Sequence, residues 1–489
     1  MRPRPSLTTR YLDGSAYAAL AATFSFGAAA FVGPLAALVQ LLYPASALLA
    51  GALLLWRKPS LYLGFMWWVW FLTPAVRRLV DLHVGYTEAS LVMLTPFLVT
   101  GIALAAVLVR LGKLPRAYRP ALAFAAAGLL YAYAVGVLNN GPVAATFDLL
   151  NWGVPVVSGA YVLAYWDHAA AFRVVTRQTF VWGLLVMGVY GLVQFFYLPA
   201  WDGYWMDSAG LGSIGVSEPF EVRVFSTLNS PGPFATVMMA GLLLVFTGGG
   251  GLTALGAAAG VVGFALSAVR AAWGGWVLGF VVVALSLPLR LRGRVLGTLF
   301  LLGLVTVPLF SVGPLAELLS SRLSTVTDLE DDMSFNERLE LYSNLPSFTA
   351  GNPLGKGLGS TGVASGVANS AATLQNLDSG VIATLYTFGV LGTLYFVGGA
   401  AALIGAALRR GLRARTLTDA AYVGITVAAA GQLAFGNAWV GVSGMVLWLF
   451  PCLCLAARYD AEQQGETAEL EGRLSTSAVP SAQRDPYAL

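Results

Sequence analysis

Charge is scarce in this chain. Asp, Glu, Lys and Arg make up 11% of its 489 residues, against about 25% in an ordinary soluble domain. Cysteine is scarcer still: only Cys452 and Cys454 occur, two positions apart in one apolar stretch. On a helix that spacing points them to different sides, which speaks against a disulfide or thiolate metal site. With two histidines, His83 and His168, a histidine-rich metal centre is excluded as well. No internal repeat suggests the inverted halves of many transporters.

Apolar residues are what the chain has in abundance. They account for 57% of it, with a mean hydropathy of +0.73, and they define an all-α polytopic membrane protein. The pI near 9.0 arises from basic residues flanking apolar runs, where they anchor spans at an anionic leaflet. Nucleic acid is therefore not the implied partner; the bilayer is. The basic start (Arg2, Arg4, Arg10) is followed by no convincing small-residue cleavage site, which predicts a signal anchor.

A helix needs roughly 20 apolar residues to cross a bilayer. That ruler predicts spans over 16–32, 35–56, 60–75, 88–110, 119–138, 143–165 and 176–198, then 229–248, 251–267, 270–288, 294–312, 379–408, 417–435 and 438–457. Fourteen result, with twelve or thirteen also permitted around Pro34 and Arg57-Lys58. Alternating the spans puts 21 of the 28 Lys and Arg residues on one side, which the positive-inside rule makes cytoplasmic together with both termini. The implied organisation is N-terminal helices to residue 198, an outer loop 199–228, core helices 229–312, a large periplasmic loop 313–378, C-terminal helices 379–457 and a polar tail 458–489 expected to be disordered.

Seven basic residues remain on the outer side: Arg77, Arg78, Arg223, Arg270, Arg322, Arg338 and Lys356. A guanidinium kept there points to an anionic ligand such as a phosphate, which its planar fork matches in shape and charge. Arg270 lies in Ser267-Ala268-Val269-Arg270, inside an apolar run that forces it to an outer hairpin turn; its structural alternative is snorkelling at a helix end. Arg223 precedes Asn229-Ser230-Pro231-Gly232, a helix-start signal whose N–H groups can also cap an anion. Its alternative is an exposed pair with Glu221.

Arg338 follows Ser334 and Glu337, a capping box expected to open a surface helix to about Phe348. Asp378 stands before the long span 379–408 as N-cap, base or both. Arg78 joins the ligand set from an outer loop shared with Arg77, Asp81 and His83. Trp201, Tyr204 and Trp205 are placed to stack on sugar faces or to anchor the interface. The acidic run 328–332 lacks the spacing of a calcium loop. The segment 351–357 is a residue short of a P-loop and has Gly after Lys356.

Five short motifs in this order carry a resemblance: Arg223 with Asn-Ser-Pro-Gly, Ser267-Ala-Val-Arg270, Asn336-Glu-Arg338-Leu, Gly351-Asn-Pro-Leu-Gly-Lys356-Gly-Leu-Gly359 and Gly389-Val-Leu-Gly392. They make the chain resemble the O-antigen ligase and polymerase family over about 220–400. The resemblance implies a bacterial, membrane-embedded GT-C-type glycosyltransferase of the inner membrane, acting at its periplasmic face. It would take a glycan from undecaprenyl diphosphate without metal or other cofactor, with a chain-length regulator as a conceivable partner. By position Arg223, Arg270 and Arg338 would hold the diphosphate, with Arg78, Asn229, Lys356 and Trp205 as further substrate-binding candidates and Asp378 as base.

The ligase branch opens the span after its long loop with His-Asn. This chain reads Asp378-Ser379-Gly380 there, which points to a polymerase of O-antigen or exopolysaccharide. The competing readings are transfer to lipid A-core and, from another class, a lipid-linked sugar transporter. A transporter should place ionisable residues near the midplane, where Asp148 is the main one available.

Overall fold

In the computed structural model, residues 14–210, 212–306, 342–343, 351–362, 379–411 and 416–477 are described. The described chain is helical throughout, its only β-pairing a single bridge between Gly215 and Val222. The helices are α1 (Gly14–Ala29), α2 (Gly33–Arg57), α3 (Pro59–Val84), α4 (Thr95–Gly101), α5 (Ala103–Val109), α6 (Arg119–Asn140), α7 (Pro142–Ala164) and α8 (Ala169–Tyr197). A short α9 (Ala200–Ala209) precedes α10 (Pro231–Val245), α11 (Gly251–Leu266), α12 (Arg270–Ser286) and α13 (Leu289–Thr306). Further along the chain come α14 (Gly380–Gly411), α15 (Leu417–Gly431) and α16 (Gly441–Ser477).

Local chemistry sets many of these boundaries. Proline occupies the first turn of α2, α3, α4, α6, α7 and α10, where its missing N–H costs no hydrogen bond and its φ suits a helix. Gly141, at φ +85°, breaks α6 from α7 in a left-handed conformation that other residues adopt at a cost.

Among the described residues, seven helical segments are long and apolar enough to cross a membrane: those in 33–57, 92–109, 119–140, 142–164, 166–197, 380–411 and 441–465. Four shorter apolar helices, including α10, α11 and α12, accompany them. Helix thus appears in all fourteen expected segments, and among the described residues seven reach spanning length and hydropathy. The span expected at 88–110 is met by the apolar helical stretch Val92–Val109, while two expectations need correction. The span expected to end at residue 75 runs on as α3 to Val84, so Arg77, Arg78 and Asp81 stand on a helix instead of in a loop. The tail expected to be disordered from residue 458 stays helical to Ser477; its Ala, Glu, Gln and Leu are good helix formers, and Arg410 pairs with Glu462 at 2.9 Å.

α16 is the mast of the bundle, with 89% of its apolar window buried against 33% for α2, α6 and α14. Cys452 and Cys454 are free and buried in it. Small residues allow close helix contact: Gly159 of α7 faces Trp448 and Cys452, Gly188 of α8 meets Ala259 of α11, and Gly279 of α12 meets Gly424 of α15.

The segment 351–360 enters the bundle as non-helical backbone. Its Lys356 and Gly357 N–H groups donate to the Tyr386 and Thr387 carbonyls of α14, and Leu358 N–H donates to Ala132 O of α6, all at 2.9 Å. Gly359 N–H donates to the Asp148 carboxylate of α7 at 2.9 Å. In return α14 breaks at Gly389 (φ +63°, ψ −168°), and the freed Val390 N–H donates to Pro353 O at 2.9 Å. Backbone at such depth survives only when its polar groups are matched inside protein, and glycine makes the approach possible. A Cβ on Gly357 would overlap the Gly136 backbone.

Gly357→Ala should therefore lose about 3 kcal/mol or more, adding left-handed strain of roughly 1–2 kcal/mol to an overpacking cost of about 1–3. Gly362→Ala, at φ +62° with open space around it, should lose only the strain part. Thermal unfolding in detergent compares the two, and equal losses would contradict the tight insertion.

Candidate functional site

The site is built on the end of the bundle where α3, α8 and α11 finish and α10 and α12 begin. There the segment 212–230 lies across the helix ends. Val224 N–H donates to Leu266 O at 3.1 Å. The Gln194 side-chain carbonyl on α8 accepts from Phe225 and Ser226 N–H at 3.0 and 2.8 Å. Ser226, at φ +52°, is held in this strained conformation by its Oγ, which donates to Met187 O at 2.6 Å. Non-glycine residues in left-handed space cost energy and cluster at functional sites. A second one, Ala268 at φ +52°, lies in the facing α11–α12 turn.

Arg78 is enclosed beneath this segment, with its side chain fully buried. Its Nε lies 2.7 Å from Asp202 Oδ1 of α9, whose side chain is equally buried. The contact is an ion pair, since its angle falls short of an aligned hydrogen bond. One Nη donates to Leu228 O and reaches Asn229 Oδ1 at 3.5 Å, and the other donates to Ser226 O at 2.5 Å. The guanidinium also sits 5.0 Å over the Phe225 ring. The sequence placed Arg78 among the ligand-binding residues. Its surroundings make it the tie that fastens the 226–229 backbone.

Arg223 reaches the other way. Its Nη2 donates to Ala268 O at 3.1 Å, its Nη1 to Ser213 O at 2.8 Å, and its Nε to Ser267 O at 3.4 Å. The half-buried guanidinium is thereby lodged on the turn that leads into Arg270, the first residue of α12 and also half-buried. Sequence positions 47 apart are brought to one turn. α12 is a 17-residue helix, and the positive end of its dipole adds to the two arginine charges. The arrangement suits a multiply charged anion.

The other sequence-selected residues are distributed differently. Asn229 lies beside Arg78, its Nδ2 3.7 Å from Met93 Sδ. Lys356 has an exposed side chain, while its carbonyl accepts from Asn140 at 2.9 Å; its bonds run to α6 and α14, apart from the Arg223 turn. Trp205 is 3% exposed and packs at 5.7 Å against Phe225, so its ring is core and not a sugar platform. Trp201 donates to Tyr190 Oη at 2.6 Å, and Tyr204 Oη accepts from Tyr86 N–H at 3.2 Å.

Arg338 and Asp378 lie outside the described residues, as do Arg322 and the acidic run 328–332. Ser379, just before α14, has its Oγ accepting from Ile382 N–H at 3.4 Å and 2.7 Å from Tyr342 Oη.

Gln194, Asp202, Ser226 and Ala268 were not singled out by sequence reasoning. A buried glutamine in an otherwise apolar span is a usable signal for Gln194; the strained residues give none. Four of the five family-like motifs nonetheless meet in pairs. The Arg223 segment touches Ser267-Ala-Val-Arg270, and 351–359 bonds the Gly389 break. Comparison with protein families and with curated proteins finds no match to this chain.

Replacing Arg78 by Ala should cost about 3–5 kcal/mol, because it strands a buried carboxylate. The double change Arg78→Met with Asp202→Leu should recover much of that loss. Unfolding curves of the wild type, both single variants and the double variant measure the coupling, and additive losses would show that the pair is not one unit.

Proposed function

We propose that this protein is a membrane-embedded, metal-independent glycosyltransferase that polymerises O-antigen or exopolysaccharide repeat units carried on undecaprenyl diphosphate. One observation carries the reading: Arg223 is lodged on the α11–α12 turn that presents Arg270 at a helix N-terminus. The turn offers the diphosphate two fork-shaped cations and a helix dipole. The order of the five motifs supports the same assignment. We further propose that both termini are cytoplasmic and that this end of the bundle faces the periplasm, as the distribution of Lys and Arg along the sequence predicts.

The chemistry is an inverting displacement. An acceptor sugar hydroxyl attacks the anomeric carbon of the donor, and the bond from that carbon to the phosphate oxygen breaks. Undecaprenyl diphosphate leaves with the electron pair. Asp378 accepts the hydroxyl proton. Arg223, Arg270 and Arg338 stabilise the charge that grows on the leaving diphosphate, an effect worth about 10²–10³ in rate per well-placed donor.

Purified protein incubated with lipid-linked repeat units should yield a ladder of lengths. A single transfer to lipid A-core would establish the ligase instead, and binding without product would favour a transporter. Arg270→Ala should reduce polymer formation by about 100-fold or more with an unchanged melting temperature. Retained activity would remove Arg270 from the diphosphate role.

A further inference from the structure

At the opposite end of the bundle a groove of about 700 Å³ opens between α1, α3, α8 and the turn before α11. Its walls are apolar, with Leu54, Leu61, Phe65 and Trp68 along one side. Phe24 and Trp182, exposed at 46% and 47%, flank its mouth where a bilayer's acyl chains would run. One end of the groove is different in kind. It is closed by Arg177 and by Gly249, Gly250, Gly251 and Thr253.

Some arginines at this end pair with carboxylates, and others, such as Arg119 and Arg292, donate to backbone carbonyls. Arg173, one turn before Arg177, pairs with Asp419 at 2.7 Å. Arg110 pairs with Asp167 at 2.6 Å and Arg410 with Glu462 at 2.9 Å. Among the described residues Arg177 has no carboxylate; its one hydrogen-bond partner is the Thr253 hydroxyl at 3.4 Å. Its Nε is buried with no partner. Arg177 is half-buried, and a partly desolvated cation without a counter-charge suits an anion that comes from outside the chain.

The turn is shaped to let the guanidinium lie flat against it. A Cβ on Gly248 would collide with the Arg177 guanidinium, so only glycine allows that position. Gly249 to Gly251 have no heavy atom within 4 Å of where a Cβ would stand, leaving the backbone open to a ligand. Behind them α11 starts without a side-chain cap, so its first N–H groups are available to an anion. A charged head site continuous with an apolar trough is the outline of a lipid.

We propose that this groove binds one anionic phospholipid, its phosphate held by Arg177 and the Gly249–Gly251 turn, its acyl chain lying along α3 and α8. The wall is mostly apolar, with Gln178 and Thr179 its polar members, so it favours a ligand with an acyl chain over a free soluble anion. The basic residues that surround this end put the site in the leaflet where anionic lipid attracts such charge. The leaflet assignment rests on the proposed orientation. The site itself does not, and its test reads lipid binding and no glycosyl transfer, so either proposal can fail alone.

Native mass spectrometry of the detergent-purified full chain, titrated with phosphatidylglycerol or phosphatidylcholine, tests it. Wild type should retain one phosphatidylglycerol preferentially. Arg177→Ala should weaken that retention about tenfold or more, leave phosphatidylcholine binding unaltered and keep the wild-type melting temperature in phosphatidylcholine. Leu61→Trp, which fills the trough and spares the arginine, should also lose the bound lipid, and this holds the test open should Arg177→Ala misfold. Equal retention of both lipids by the wild type would overturn the proposal. So would undiminished phosphatidylglycerol binding in the variants, or stabilisation by millimolar inorganic phosphate equal to that by phosphatidylglycerol.

Discussion

The buried ion pair between Arg78 and Asp202 is the constraint on which one end of the molecule depends. Both side chains are removed from water, and such a pair is sustained only when the remaining donors and lone pairs are satisfied as well. The second carboxylate oxygen of Asp202 accepts from Tyr190 at 2.9 Å and Gln194 at 2.8 Å. Gln194 in turn accepts from the Phe225 and Ser226 backbone, and Arg78 binds the carbonyls of Ser226 and Leu228. The ring is closed across α3, α8, α9 and the segment 222–229. Its geometry fixes where Arg223 leaves the surface and therefore where that guanidinium meets the α11–α12 turn. The buried arginine positions the segment, and Arg223 and Arg270 at the α11–α12 turn are half-buried.

This division of labour separates residues that look alike in sequence. Arg78 and Arg223 both sit near helix ends, both belong to the outward set, and both bind backbone carbonyls. Their partners differ: Arg78 has a carboxylate on α9 that neutralises it inside the protein. Arg223 bonds the carbonyls of a turn and carries its charge to the neighbourhood of Arg270. Strain follows the same line, since Ser226 and Ala268, both in left-handed space, bracket the Arg223 contact from either side.

The helical class and the places of most helices were legible from apolar run length, because bilayer thickness imposes one ruler on every span. Length alone misjudged α3, whose paired charges suggested an exit from the membrane. In the fold, Arg77 finds Asp81 one turn ahead at 2.9 Å and Arg78 finds Asp202, so the helix continues. Proximity of Arg223 to the Ser267–Arg270 turn was not readable from spacing, since it depends on long-range hydrogen bonds. Nor was the role of Trp205: a tryptophan in a polar loop looks exposed until the loop folds back over α8 and α3. The glycine motif 351–359 falls short of a P-loop by its spacing. Its actual use, as inserted backbone, became visible only with the Gly389 break opposite it.

That insertion has a consequence for how the molecule is put together. The slot for residues 353–359 is walled by α6 and α7, made long before them, and by α14, made after them. The segment therefore has no finished place to go when it is synthesised. It must wait until α14 arrives with its break, and then three non-adjacent parts of the chain close on one another in a single docking event. Contacts so distant in sequence form late. The interior of this membrane protein is thus completed from its rim, after the helices around it have been laid down.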